Sequence, residues 1–408
     1  MKKHNPGQYY KYPIILLFLF VSFHSYSQRP ANIVIPTKVN LNIKTGAQRT
    51  AIYLPMISGK SVAIVANQTS VIDKTNLVDS LSSLGINIKK IFSPEHGFRG
   101  NADAGQHIKN YKDKKTGLKV ISLYGKNTKP QASDLADVET VIFDIQDVGV
   151  RFYTYISTLH YVMEACAENN KQLIVLDRPN PNGYYVDGPV LEEKQKSYVG
   201  LHPVPVIYGM TIAEYAQMIN GEGWLKNGIK CKLTCINLEG YNHSDLYELP
   251  VKPSPNLPNM CSVYLYPSLA LFEGTIVSVG RGTETAFQVI GHPKLQNAKF
   301  TFMPKSFPGA SDPMYDGELC YGYDLRDFGD IYIKNNKQLY LYWLQGMYKD
   351  SPNKEIFFND YFNLLAGNTS LKQQIIDKVS DEEIRKSWNP GLTKFKEIRK
   401  KYLLYKDF

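Results

Sequence analysis

Between residues 61 and 200 the chain alternates short β-rich apolar runs with stretches in which apolar residues recur every three or four positions. Residues 61–66 (SVAIVA), 88–92, 120–123, 140–144 and 173–176 have strand length. Between them Leu77, Leu81 and Leu84, and then Ile156, Leu159, Met163 and Cys166, fall on helical spacing. Near-continuous apolar strands alternating with amphipathic helices predict a parallel sheet covered on both faces. The expected fold is α/β, with a Rossmann-like parallel-sheet domain over residues 61–209. No G-x-G-x-x-G follows the first run, so the layout carries no dinucleotide signature.

Beyond Met210 the rhythm changes. Thr211 with Glu214 three residues on forms a capping box that opens a helix through Ile219. Short strands are expected at residues 231–237 and 275–279. Between them the proline-rich stretch 252–259 (KPSPNLPN) cannot be a central strand. Helical patterns return around 339–347, 361–365, 371–379 and 395–404. Residues 210–408 are therefore expected to form a second α+β domain, with residues 28–60 as a lead-in.

Composition narrows the class. A chain of 408 residues with 43% hydrophobic and 21% charged residues is globular rather than disordered. Lys2, Lys3 and Lys11, an apolar run over 13–23 and Ser25-Tyr26-Ser27 predict a signal peptide over residues 1–27, hence export. That run is short for a bilayer span, which needs about 20 apolar residues, so no stable membrane insertion is expected after cleavage. The formal net charge is +9, yet the one dense basic cluster, at 109–119, reads as a solvated face rather than a nucleic-acid track. Five cysteines cannot all pair within one chain. No metal-ligand spacing appears, and neither a metal nor another cofactor is expected.

The candidate chemistry lies at the strand exits. The second strand leads into residues 93–100 (SPEHGFRG), where Pro94, Gly97 and Gly100 impose a loop that holds Glu95 and His96. The fourth exit delivers Asp144, Asp147, Arg151, Tyr153 and Tyr155; the fifth delivers Arg178 and Asn180. Open α/β sheets bind ligands at the carboxyl ends of their strands, so three polar, stiffened exits predict one site. A second polar constellation, residues 273–293, carries Glu273, Arg281, Glu284 and His292. Without a Lys-Ser/Thr after Gly282 it is not a P-loop, and it is expected to form a ligand-binding face.

Residues 93–100 (SPEHGFRG), 143–155 (FDIQDVGVRFYTY), 176–183 (LDRPNPNG), 202–212 (HPVPVIYGMTI), 254–259 (SPNLPN) and 278–285 (SVGRGTET) together resemble the family once called DUF1343, now associated with NamZ-type exo-β-N-acetylmuramidases. The resemblance runs from about residue 61 to the C-terminus. It departs at Gln106, Ala213 and Ala286, where glutamate, glycine and proline are usual. It implies an exported glycosidase that releases terminal N-acetylmuramic acid from the non-reducing end of peptidoglycan fragments. It also implies a smaller second domain that forms the other wall of the cleft.

Glycoside hydrolysis needs a carboxyl group to protonate the leaving oxygen and usually a second as nucleophile or base. Glu95 is expected to be the acid, since a domain closing over it would desolvate it, and His96 would orient it or share the proton. Asp147, Asp144 and Glu284, in that order, are candidates for the partner, unless the 2-acetamido oxygen of the sugar attacks in its place. Arg151, Arg178 and Arg281 are candidates to hold the lactyl carboxylate bidentately. Tyr153 could stack on the sugar, and Asn180, Asn256 and Asn259 could bind its hydroxyl or acetamido groups. A non-catalytic exported binder of wall saccharides is the alternative. Against an esterase, no Gly-x-Ser-x-Gly elbow is present.

Overall fold

A computed structural model describes residues 40, 42–100, 109–295 and 298–408. The signal-peptide segment, most of the lead-in and Gln106 lie outside them. Among the described residues the main sheet has seven strands. β1 (Ser61–Ala66) leads through a small hairpin, β2 (Val71–Ile72) and β3 (Thr75–Asn76), to β4 (Asn87–Ser93). There follow β5 (Tyr111–Lys112), β6 (Lys119–Ser122), β7 (Thr140–Asp144), β8 (Gln172–Leu176) and β9 (Lys232–Ile236). Their spatial order is β5-β6-β4-β1-β7-β8-β9, parallel throughout except for the β5 edge. In chain order the parallel strands run third, second, first, fourth, fifth, sixth, the doubly wound arrangement whose switch point lies between β1 and β7.

The period of two along each strand divides the core. Val62, Ile64 and Ala66 of β1, with Ile142 and Ile174, pack against Tyr53 and Ile57 of α1 (Thr50–Ile57) and Leu77, Val78 and Leu81 of α2 (Leu77–Ser83). Ala63 and Val65, with Phe143 and Val175, face the opposite way. After a short α3 (Ala132–Leu135), that face is covered by α4 (Tyr155–Glu168) and α5 (Ile212–Gly221). Both faces are buried, so the strands read as continuous apolar runs. The capping box at Thr211 forms as expected, its hydroxyl accepting from Glu214 N–H while Glu214 reaches back.

Two expectations need correction. The strand at 231–237 does not belong to a separate domain that starts at residue 210. It is β9, the outer parallel strand beside β8, so the sheet and its helix α5 extend beyond residue 209. Residues 275–279 form no strand: Thr275 and Ser278 make isolated bridges to Phe358 and Gly291. The smaller region has its own antiparallel sheet, β10 (Val289–His292), β12 (Cys320–Asp324) and β11 (Phe300–Phe302) in spatial order, with helices around it. Helix α6 (Met260–Leu269) follows the proline-rich loop, with Asn259 capping its first turn. All five thiols are free.

Candidate active site

The loop after β4 is wound tightly. Gly97 N–H donates to Pro94 C=O at 3.1 Å, and both His96 (φ 69°) and Gly97 (φ 76°) have left-handed backbone. Such a conformation is costly at a non-glycine, so it must be held from outside. His96 Nε2 meets Ser254 Oγ at 3.1 Å. On the far side Arg99 stacks over Phe98 at 4.3 Å and pairs with Asp113 (2.9 Å) and Asp79 (3.3 Å). Burial pushes the Asp113 carboxyl up, but hydrogen bonds from Arg99 and Thr116 outweigh it and hold it at about 2.

Glu95 is thereby presented above the sheet. Its carboxylate accepts from Thr154 Oγ1 at 3.0 Å. Leu123 N–H donates to Ser93 C=O at 2.8 Å, which brings Tyr124 beside the same carboxylate. Burial and then the Glu95 charge push the Tyr124 phenol well above its usual range. Glu95 leaves β4 and Thr154 follows β7, which flank β1, so the site stands over the switch point.

Its floor is aromatic. Tyr153 packs edge-on to Tyr155 (4.7 Å between centroids) and Tyr266 (5.8 Å), and Tyr266 packs on Phe287 (4.9 Å). The Tyr153 and Tyr155 hydroxyls both donate to Pro253 C=O, at 2.8 and 3.3 Å. Arg281 completes the lining, held by Glu273 Oε1 through Nε (2.8 Å) and Nη2 (2.6 Å) and stacked over Phe287 at 4.9 Å. Asn256 donates from its amide to Gly309 C=O at 2.8 Å. Glu95 is the one carboxylic acid among the described residues lining the cleft. A larger cavity, lined in part by Glu248, Lys252, Asn259 and Arg326, shares only Pro253 and Leu257 with this neighbourhood.

The structure thus gathers Glu95, His96, Tyr153, Asn256 and Arg281 and sends the other sequence candidates elsewhere. Asp144 and Arg178 are fully buried and paired with each other, Nε to Oδ1 at 2.6 Å and Nη2 to Oδ2 at 2.9 Å. Neither lines the cleft. Asp147 is buried under Tyr208, whose hydroxyl donates to Oδ2, and Gly149 N–H donates to the same oxygen at 2.7 Å. Burial lifts its pKa to about 6 against the pull of those donors.

Arg151 spends its guanidinium on four backbone carbonyls, Pro189, Val204, Leu365 and Ala366, and joins the loop after β7 to the chain near residue 365. Its burial lowers its pKa to about 9. Asn180 donates to Met210 C=O and accepts from Asn182 N–H. Gly149 (φ 77°) has no room for a side chain because a Cβ would lie 2.1 Å from Asn180 Oδ1. Asn259 caps α6 and donates to Gln288 Oε1 at 3.1 Å. Glu284 is exposed and off the cleft. Asp144, Asp147, Arg151, Arg178 and Asn180 are buried because each finds partners that replace its water, whereas Asn259 and Glu284 stay exposed.

Sequence reasoning missed Thr154, Ser254, Tyr124 and Tyr266. The first two sit inside stretches singled out above, 143–155 and 254–259. Tyr124 and Tyr266 gave no signal, for their roles come from which strand ends and helices become neighbours.

Two family models match the chain: Exo-beta-N-acetylmuramidase NamZ, N-terminal, over residues 62–261, and its C-terminal counterpart over 264–405. The chain belongs to the NamZ family. It is 37% identical over 378 residues to Peptidoglycan beta-N-acetylmuramidase NamZ of Bacillus subtilis (strain 168), covering 86% of this chain and 89% of that one. A DUF1343 family protein from Bacteroides fragilis NCTC 9343 superposes with a TM-score of 0.84 at 42% identity, over 90% of this chain and all of that one. A second from the same strain gives 0.76 at 28%, over 89% and 99%. As a NamZ-family member the chain is a glycosidase. The two family models meet at α6, after β9, consistent with a sheet region that continues past residue 209.

Proposed function

We propose that this glycosidase is an exported exo-β-N-acetylmuramidase that releases N-acetylmuramic acid from the non-reducing end of peptidoglycan fragments, with Glu95 as general acid. The observation that carries this reading is the presence, in one aromatic-floored cleft, of the Glu95 carboxyl group together with the Arg281 guanidinium. Glu95 gives its proton to the glycosidic oxygen as the bond from C1 to that oxygen breaks. Asp144, Asp147 and Glu284 lie off the cleft, so the 2-acetamido oxygen of the sugar attacks C1 from the opposite face. Water then opens the resulting oxazolinium ring and returns a proton to Glu95.

Arg281 reads the lactyl carboxylate. A guanidinium has five N–H donors; Glu273 engages it through Nε and Nη2, and the remaining donors suit a second carboxylate. His96, fixed on Ser254, keeps the Glu95 loop in register. Export rests on the residue types of 1–27 alone: a basic start, an apolar run and small residues at its end.

The test is release of chromophore from the 4-nitrophenyl glycoside of β-N-acetylmuramic acid, with the N-acetylglucosamine glycoside in parallel. Turnover of the first alone is expected. Turnover of both would keep the glycosidase and sink the lactyl role of Arg281. Silence on both from folded protein would overturn the substrate assignment.

A further inference from the structure

Four tyrosines from four distant stretches gather at the mouth of the cleft, outside its lining. Tyr124 follows β6, beside Glu95. Tyr198 meets it edge-on at 6.0 Å between centroids and is fixed over the first turns of α4, where Ser157 Oγ donates to Tyr198 C=O at 2.7 Å. Tyr161 of α4 stacks parallel on Tyr198, 10° between planes and 6.3 Å apart. Tyr361 opens the helix Tyr361–Ala366, which is docked on the turn that carries Glu273. There Asn359 N–H donates to Gly274 C=O at 3.0 Å, and a Cβ on Gly274 would lie 2.4 Å from Phe362 Cα. Glu273 in turn holds Arg281 on the cleft wall, so the docked helix brings Tyr361 to that side of the cleft.

Tyr153 and Tyr155 are sunk in the floor with their hydroxyls committed to Pro253. The outer tyrosines, in contrast, are not sunk: Tyr361 is 39% exposed and Tyr124, Tyr161 and Tyr198 are half-buried. An aromatic face carries negative charge density, which suits the C–H-lined face of a pyranose. In an exo-acting enzyme the terminal sugar fills the cleft and the rest of the chain leaves by its mouth.

We propose that Tyr124, Tyr198 and Tyr361 form a stacking platform for the sugar on the leaving-group side of the scissile bond. This rests on the exo-glycosidase reading above. The test uses Tyr198→Ala and Tyr361→Ala, each beside its Phe counterpart. Substrates are a saccharide in which N-acetylmuramic acid is followed by N-acetylglucosamine, and β-N-acetylmuramyl fluoride, whose leaving group has no ring.

The Ala variants should raise KM for the saccharide by about five- to tenfold, the range of an aromatic stacking contact, with kcat within about twofold. Activity on the fluoride should stay within about twofold, and the Phe variants should restore the saccharide KM. Equal losses on both substrates, an unchanged saccharide KM, or failure of Phe to rescue would each overturn the platform. Binding of N,N′-diacetylchitobiose, followed by saturation-transfer NMR on the full chain, keeps the inference testable if no muramic glycoside is turned over. Contact that weakens in the Ala variants supports the platform even then, and absence of contact in the unaltered chain overturns it.

Discussion

The loop after β4 and the loops after β7 and β8 carry the same kinds of side chain at the same edge of one sheet. Glu95 remains half-buried at an open cleft, its carboxylate touched by Thr154. Asp144, Asp147, Arg151 and Arg178 are turned inward, each with 4% exposure or less. The difference lies in what each loop can reach. Arg178 follows β8, which pairs directly with β7, so its guanidinium falls on Asp144. Arg151 finds four carbonyls within the loops it ties together. The β4 loop spends its own guanidinium, Arg99, on Asp79 and Asp113 at its rear, which leaves Glu95 at the front. Buried polar groups that satisfy one another stiffen the sheet edge, while Glu95, half-buried at the cleft, is placed where a ligand can reach it.

Substitution of Glu95 should separate the two regions most sharply. Glu95→Gln keeps an acceptor for Thr154 but has no proton to give. Turnover should fall by about 10³-fold, within the span of general acid catalysis, while the thermal midpoint stays within about 2 °C. Steady-state kinetics beside calorimetry reads both; a variant that retains a tenth of the activity would remove Glu95 from the role of acid.

The inward region should answer in stability. Arg178→Met leaves Asp144 buried without its partner, and the loss of one member of such a pair costs about 3–5 kcal/mol. Urea unfolding should show that drop, and the double variant Arg178→Met with Asp144→Leu should recover much of it. If the single variant unfolds like the unaltered chain but binds substrate poorly, Arg178 belongs to the site after all.

This division explains how far the sequence could be read. The near-continuous apolar runs revealed β1, β4, β6, β7 and β8, and polar residues at strand ends gave the correct edge of the sheet. Glu95, His96 and Arg281 were legible because glycine and proline fix their loops. What the sequence hid was pairing across it. Nothing in residues 144–151 alone says that Asp144 will meet Arg178, or that Gly149 is there to admit Asn180. Tyr124 and Tyr361 come beside the cleft only because β6 lies beside β4 and because the Tyr361 helix docks on Gly274. β9 falls within the expected second domain because sheet membership is decided by a neighbour more than fifty residues earlier.

Asp147 gives the inward region a pH signature. Its carboxyl holds a proton up to about pH 6 in the folded chain, whereas an unfolded aspartate releases it at about 3.9. The native state therefore binds more protons in that interval, and stability falls as pH rises through it. The contribution is complete below about pH 4 and lost above about pH 6, a change on the order of 2–3 kcal/mol. Asp147→Asn cannot ionise and should escape the loss. Urea midpoints of the two proteins should diverge between pH 4 and pH 7, the variant gaining relative to the unaltered chain. Parallel profiles would mean that Asp147 ionises in the fold as it does in water.

Arg281 should give the smallest effect and the finest test, because it belongs to both regions. Like Arg178 it has an acidic partner, Glu273, yet its side chain keeps 26% exposure and lines the cleft. Arg281→Lys preserves the charge and its pairing with Glu273, but a lysine cannot present two parallel N–H groups to a second carboxylate. If the lactyl group is read here, kcat/KM for the muramic glycoside should fall by about tenfold, about 1.4 kcal/mol, with kcat nearly unchanged. An N-acetylglucosamine glycoside, which has no carboxylate, should lose nothing at this position. Losses of equal size on both sugars would place Arg281 with the inward arginines, as a strut for Glu273 and the Phe287 ring.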